Sequence, residues 1–316
     1  MVSIMQNKRG RKFNMTKSRI MVYGSYAVGM TMGCDKFPTA GQTVPGSNFQ
    51  QFHGGKGSNQ AIAAARLGGD VCFVSCVGED SLGDAAMQLF HDEGLDVKVK
   101  RSSDNATDVG FVMVESTGEN RIIINFGASM EVNKADIDSL EGELKKSKIL
   151  LMQMEADIAT MTYAAQKAHE NGVMVIFNPA PYREMPEALI KNIDIITPNE
   201  SEAKELLGLA AKQDVAAEEL GQQLQGLGIP HVVITLGGEG ALLCSEGEIK
   251  RIGVKTKVKA IDTTGAGDTF AGALAVAISE GNTYEQAVIF ANQAASISVT
   301  RSGVIEGIPY RNELVD

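Results

Sequence analysis

The sequence predicts an α/β protein: a three-layer, doubly wound, mostly parallel sheet, with a small β-sheet standing outside it as a lid. Three observations lead there. From Ile20 onward, short apolar runs alternate with amphipathic segments of about 10 to 15 residues, the rhythm of strand and covering helix. The runs are apolar throughout, as strands buried on both faces are. One stretch, residues 109–126, carries two strand-like runs with no helix between them. A chain of 316 residues has room for one large α/β domain with an appendage and can bury a sizeable core.

Residues 20–23 open the fold as a buried strand that ends at Gly24-Ser25. Residues 71–77 form a second strand, and 82–93 a helix stopped by Gly94. A strand at 149–154 precedes a helix that Asp157 caps and Gly172 closes. Strands at 173–177 and 193–197 each run into a turn rich in Pro and Asn. Helices follow at 201–207 and 215–227, then strands at 231–236 and 241–245. Two helices finish the pattern, one at 269–280 and one from Thr283, whose spacing to Gln286 is a capping box. The turn at 116–120 reads as a β-hairpin, and residues 43–52 are strand-like without a helix. These pieces suggest a small separate sheet, either a lid over an active site or a decorated sheet edge. Ligands in parallel α/β sheets sit beyond the carboxyl ends of the strands, so the search for a site begins there.

Composition narrows the function. The net charge of −10 and pI near 5.0 argue against a general nucleic-acid or anionic-membrane binder, though local cations and amides still suffice for a phosphate. No run approaches the roughly 18 apolar residues of a membrane span. Cys34, Cys72, Cys76 and Cys244 form no Cys-x-x-Cys pair, and His53, His91, His169 and His231 show no metal spacing. Scattered reduced thiols fit a cytoplasmic protein. Residues 1–19 hold six Lys and Arg without an acid, and they lack the apolar core of a secretory signal. They read as a flexible tail, a start placed upstream of Met15, or a transit peptide.

Four constellations carry chemistry. Asp262-Thr263-Thr264-Gly265-Ala266-Gly267-Asp268 precedes an apolar helix; its glycines turn the backbone amides toward one point, and a helix N-terminus favours an anion. Asp268 stands beside that point, placed to accept a proton, although Asp at a helix start is also ordinary capping. Gly54-Gly55-Lys56-Gly57-Ser58-Asn59-Gln60 leads into a second helix and sets a lysine where the dipole disfavours it. It suits a polyhydroxyl ligand or is a plain loop-to-helix turn, and it lacks Walker spacing. Asn199 and Glu202 open a third helix, able to order hydrated Mg²⁺ or merely to cap it. Thr235-Leu236-Gly237-Gly238-Glu239-Gly240 joins two strands and is either a nucleotide loop or a glycine-rich turn. The first turn, 24–29, read as a βα connection, lacks dinucleotide-binding glycine spacing, which counts against a nicotinamide-dependent dehydrogenase. No Gly-x-Ser-x-Gly elbow is present.

In this order and spacing, GGKGSNQA, ITPNESEA, the glycine loop and DTTGAGDTF resemble the ribokinase (PfkB-type) family of carbohydrate kinases over residues 20–309. The segments LLMQME, FNPAP and VTRSG add to the likeness. The resemblance implies transfer of the ATP γ-phosphoryl group to a sugar hydroxymethyl, ribose or a related sugar. It implies Asp268 as general base and Gly265, Ala266 and Gly267 as the anion hole. Gly55, Lys56, Asn59 and Glu155 would hold the sugar. Asn199, Thr235, Leu236, Gly237, Gly238, Glu239, Gly240, Gly267 and Asn292 would hold ATP. Glu202 would order Mg²⁺ through water. A K⁺ site would use Asp262 with Thr264, Ser298, Arg301, Gly303 and Gly307. The implied lid is discontinuous, at 36–53 and 97–127, and would also pair two subunits as a homodimer; residues 310–316 form a C-terminal tail. One departure stands out: the family's sugar-binding Asn and Asp after the first strand align with Ala27 and Gly29. The space left there would suit a bulkier or differently substituted sugar, and the missing clamp also admits a non-catalytic sugar or nucleotide sensor.

Overall fold

The computed structural model describes residues 4–6, 12–14 and 18–314. Most of the basic tail, and residues 315 and 316, lie outside them. In chain order the strands are β1 (Ile4–Gln6), β2 (Lys12–Asn14), β3 (Arg19–Tyr23), β4 (Ala27–Cys34), β5 (Ser47–Gly54), β6 (Val71–Gly78), β7 (Asp96–Ser102) and β8 (Asp108–Glu115). They continue as β9 (Asn120–Asn125), β10 (Ser147–Gln153), β11 (Met174–Asn178), β12 (Ile195–Ile196), β13 (His231–Thr235), β14 (Ala241–Ser245) and β15 (Glu248–Ile252). β1 and β2 form a small antiparallel pair.

The main sheet has nine strands in the order β15-β14-β13-β12-β11-β10-β3-β6-β7. It is parallel from β13 to β7, and β14 and β15 add an antiparallel edge. Period-two alternation sends side chains to opposite faces. Ile20, Val22, Phe73, Ile149 and Leu151 enter one apolar cluster with the helices Lys56–Arg66, Ala266–Ser279 and Tyr284–Ser298. Met21, Tyr23, Val74, Leu150 and Met152 enter a second with the helices Ile158–Glu170 and Ala217–Gly226. Two cores on one sheet make the three layers, and each fully buried large apolar side chain contributes about 1.5–3 kcal/mol. None of the described helices is long and apolar enough to cross a membrane.

Three readings of the sequence change. The segment after Gly24 is no βα turn, because β4 begins at Ala27 and leaves the main sheet to join a second one, ordered β5-β4-β8-β9. Residues 97–102 belong to the edge strand β7, paired with β6 in the main sheet rather than with the lid. The helix expected from 269 starts at Ala266, which places Asp268 inside its first turn. The predicted hairpin is present as β8 and β9, paired antiparallel.

Strand order reverses between β3 and β10: one half of the chain adds β6 and β7 on one side, the other adds β11 to β13 on the opposite side. Such a switch point opens a crevice at the strands' carboxyl ends. Gly24 and Ser25 leave β3 there, and Met154 and Glu155 leave β10 beside them. The helix Lys56–Arg66 descends onto this point, and Gly57 permits it: a Cβ on Gly57 would lie 2.5 Å from the Gly24 carbonyl carbon.

Candidate active site

Two cavities meet at the carboxyl edge of the sheet. The larger, about 490 Å³, is walled by Val254, Val258, Ala260, Ala295 and Val299 with Thr235, Gly237, Gly238, Glu239 and Gly240 at its mouth. The smaller, about 200 Å³, is lined by Lys56, Asn178, Asn199, Glu202, Gly265 and Asp268. Thr235, Thr263, Gly267 and Phe270 border both. The Gly265–Gly267 turn therefore stands at the junction of an apolar chamber and a polar one.

Asp268 is 5% exposed. Asn59 Nδ2 donates to its Oδ2 at 2.9 Å and Gln60 Nε2 to its Oδ1 at 3.0 Å. Gly265, at φ 75°, caps the Ala266–Ser279 helix in a left-handed conformation that a Cβ would disfavour. First-turn amides of that helix have no intrahelical acceptor, and Ala266, Gly267 and Asp268 line the cavities that meet there. The Ala266 amide is the exception, donating to Thr263 O across 3.3 Å.

Lys56 explains itself in three dimensions. Its backbone amide donates to Glu155 Oε2 at 2.8 Å, and Ser25 Oγ donates to the same oxygen at 2.5 Å. Asp268 raises the Lys56 ammonium above its ordinary pKa more than any other group, with Glu155 and Glu202 adding to it against desolvation. A cation at a helix N-terminus is stable here because three carboxylates outweigh the dipole. Burial pushes the carboxyls of Glu155 and Glu202 above the ordinary range. Asn199 and Glu202 form a reciprocal capping box, Glu202 N donating to Asn199 Oδ1 at 2.8 Å and Asn199 N to Glu202 Oε2 at 2.9 Å. Both residues still line the smaller cavity.

Of the glycine loop, Leu236 turns away and packs on the second core, while its neighbours face the larger cavity. Asn292 lines that cavity too, its Nδ2 donating to Ile252 O at 2.9 Å. Asp262 accepts from Thr264 N at 2.9 Å and Gly303 N at 3.2 Å, and the Thr264 hydrogen bonds hold its carboxyl below the ordinary range. Ser298 O accepts from Arg301 N at 3.2 Å and stands 3.1 Å from where a Gly307 Cβ would be. The three segments expected to share a cation thus meet.

The space expected at Gly29 is occupied. Gly29 faces Phe52 across the β4–β5 ladder, and the Phe52 ring lies where a residue-29 side chain would be, 2.1 Å from an ideal Cβ. A ring over a cross-strand glycine fills the gap that the missing side chain leaves. Gln60, Gln153 and Asn178 fall inside the segments GGKGSNQA, LLMQME and FNPAP, but sequence reasoning gave none of them a role.

A family model described as the pfkB family carbohydrate kinase matches residues 17–311. The chain belongs to that family. It is 38% identical to the ribokinase of Haemophilus influenzae, covering 95% of this chain and 98% of that one. It is 35% identical to the ribokinase of Schizosaccharomyces pombe, over 92% of this chain and 94% of that protein. Among solved structures, Arabidopsis thaliana ribokinase complexed with ribose and ATP superimposes with a TM-score of 0.86 at 31% identity, covering 94% of this chain and 97% of that one.

Proposed function

We propose that this chain phosphorylates a terminal hydroxymethyl group of a sugar, ribose or a near relative, at the expense of ATP. One observation carries the reading: a buried carboxylate, Asp268, held by two amide donors where an apolar chamber meets a polar one. ATP lies in the larger cavity with its phosphates reaching past the Gly265–Gly267 turn toward Asn199 and Glu202 in the smaller, and the sugar meets Asp268 beside Lys56, Asn59 and Glu155. The hydroxyl gives its proton to Asp268 while its oxygen bonds to the γ-phosphorus and the bond to the ADP oxygen breaks. Amides of the turn and the Lys56 ammonium meet the charge on the transferring group. Glu202 has one carboxylate oxygen outside its capping box and would hold hydrated Mg²⁺, which neutralises phosphate charge when bound. Asp262 with carbonyls of Thr264, Ser298, Arg301, Gly303 and Gly307 would hold K⁺.

ADP release with pentoses, hexoses and nucleosides tests the reading. Asp268→Asn is expected to lower kcat by at least about 10²- to 10⁴-fold while keeping ATP binding and Tm. Sugar binding without turnover in the parent protein would establish a sensor instead.

The lid extends the proposal to a homodimer of a cytoplasmic enzyme. Its edge strand β9 exposes Ile122, Ile123 and Ile124 at 56%, 66% and 52%. An apolar edge of this kind calls for a partner, here a second copy. Ile123→Glu should then sediment as a monomer; an unchanged mass in parent and variant refutes the pairing.

A further inference from the structure

Behind Asp268 lies a chain of buried side-chain amides whose direction is imposed from one end. Thr197 O is a main-chain carbonyl and only accepts; Asn178 Nδ2 donates to it at 2.8 Å. Asn178 therefore turns its Oδ1 toward Gln60, whose Nε2 approaches it at 3.3 Å and donates to Asp268 Oδ1 at 3.0 Å. Gln60 Oε1 must then face the other way, where Gln153 Nε2 donates to it at 2.7 Å. Gln60 and Gln153 are both fully buried. Gln153 Oε1 is left without a partner among the described residues, packed in the room that Gly24 leaves: a Cβ there would lie 2.0 Å away. A buried acceptor without a donor is costly. The arrangement persists because turning Gln153 over would set two carbonyl oxygens against each other, and turning Gln60 over would set a carbonyl against the base.

We propose that Gln60 and Gln153 are positioning residues for Asp268: Gln153 locks the Gln60 amide so that it always presents N–H, never C=O, to the carboxylate that takes the sugar proton. The proposal rests on the kinase reading. Gln60 touches neither chamber, so it acts only through Asp268.

The decisive comparison is Gln153→Met against Gln153→Glu. Met unlocks Gln60 without reversing it, and kcat should fall about tenfold with KM for sugar and ATP within about threefold. Glu has the shape of Gln, and at the alkaline end of the assay range, where a carboxyl buried at this position ionises, it only accepts, so it draws the Gln60 nitrogen toward itself and turns the carbonyl on Asp268. The expected fall in kcat is about 100-fold or more. Protonated, the Gln153→Glu acid donates to Gln60 Oε1 and restores the lock, so its kcat relative to wild type should recover as pH falls. The titratable groups around the network are Asp268, Lys56, Glu155 and Glu202; wild type and variant share them, and the ratio of the two profiles cancels them. Gln60→Met should lower kcat in the same way, and if it fails to fold the Gln153 pair still decides. Equal kcat in the two Gln153 variants at the alkaline end of the range, or profiles that superimpose on wild type after scaling, overturns the relay. No turnover by wild type on any sugar overturns the kinase reading itself, a separate and visible outcome.

Discussion

Replacing Gly272 with alanine places a methyl carbon 2.7 Å from Gln60 O, 2.8 Å from Ala63 Cβ and 3.0 Å from Ala64 N. These atoms belong to the helix Lys56–Arg66, and Gly272 lies one turn beyond Asp268 on the helix Ala266–Ser279. Carbon contacts relax at about 3.5–4.0 Å, so the two helices must separate by about 1 Å. The hydrogen bonds of 2.9 and 3.0 Å from Asn59 and Gln60 to Asp268 would stretch to about 4 Å, past any useful range. Overpacking of this kind costs about 1–3 kcal/mol of stability, and a 1 Å misplacement of a catalytic group costs about 100-fold in rate. In domains of 150–250 residues each kcal/mol lowers Tm by about 2–4 °C. The assay is steady-state ADP release with a melt on the same preparation: kcat should drop about 100-fold while Tm drops by about 2–12 °C. Full kcat in a folded Gly272→Ala protein would refute the claim that this helix contact sets the base against its donors.

Three further outcomes follow from the site. Burial raises the Glu155 carboxyl above its ordinary value of 4.5, so the native state holds its proton more tightly than the unfolded chain does, and stability falls as pH rises past that value. Glu155→Gln should gain in Tm over wild type from pH 5 to pH 8 (about three units) while losing sugar affinity; a gap that does not change with pH refutes the cause given. Phe52→Ala empties the space over Gly29 and should raise kcat/KM for hexoses relative to pentoses by about 10-fold, the scale of a few methylenes, and an unchanged ratio removes Phe52 from specificity. Asp262→Ala should weaken activation by K⁺ with little change in Tm in Na⁺ buffer; an identical K⁺ titration would show that the carboxylate serves only Thr264 and Gly303.

Much of this protein is legible locally. Apolar runs marked β3, β6, β10 and β11, because strands buried on both faces need nothing else to specify them. The capping boxes at Thr283 and Asn199 and the glycine turn before Asp268 are contiguous, so the helix starts and the proposal of a site at Asp268 could be drawn from residue order. β4 was hidden because MTMG-type sequence has no strand signal until a lid sheet gives it partners, and β7 because Lys and Arg interrupt its apolar residues.

What residue order determined by itself was most of the main-sheet elements and the candidate residues at their ends, since propensity, periodicity and capping act over a few residues. What only the tertiary structure decided was which ends meet. Gln60 and Asp268 stand 208 positions apart, and Ser25 and Glu155 stand 130 apart. No local preference connects them; two helices touching at one glycine and two strands adjoining at a switch point do. The ring of Phe52 over Gly29 belongs to the same class, a side chain placed by strand register in room that the sequence alone shows as empty.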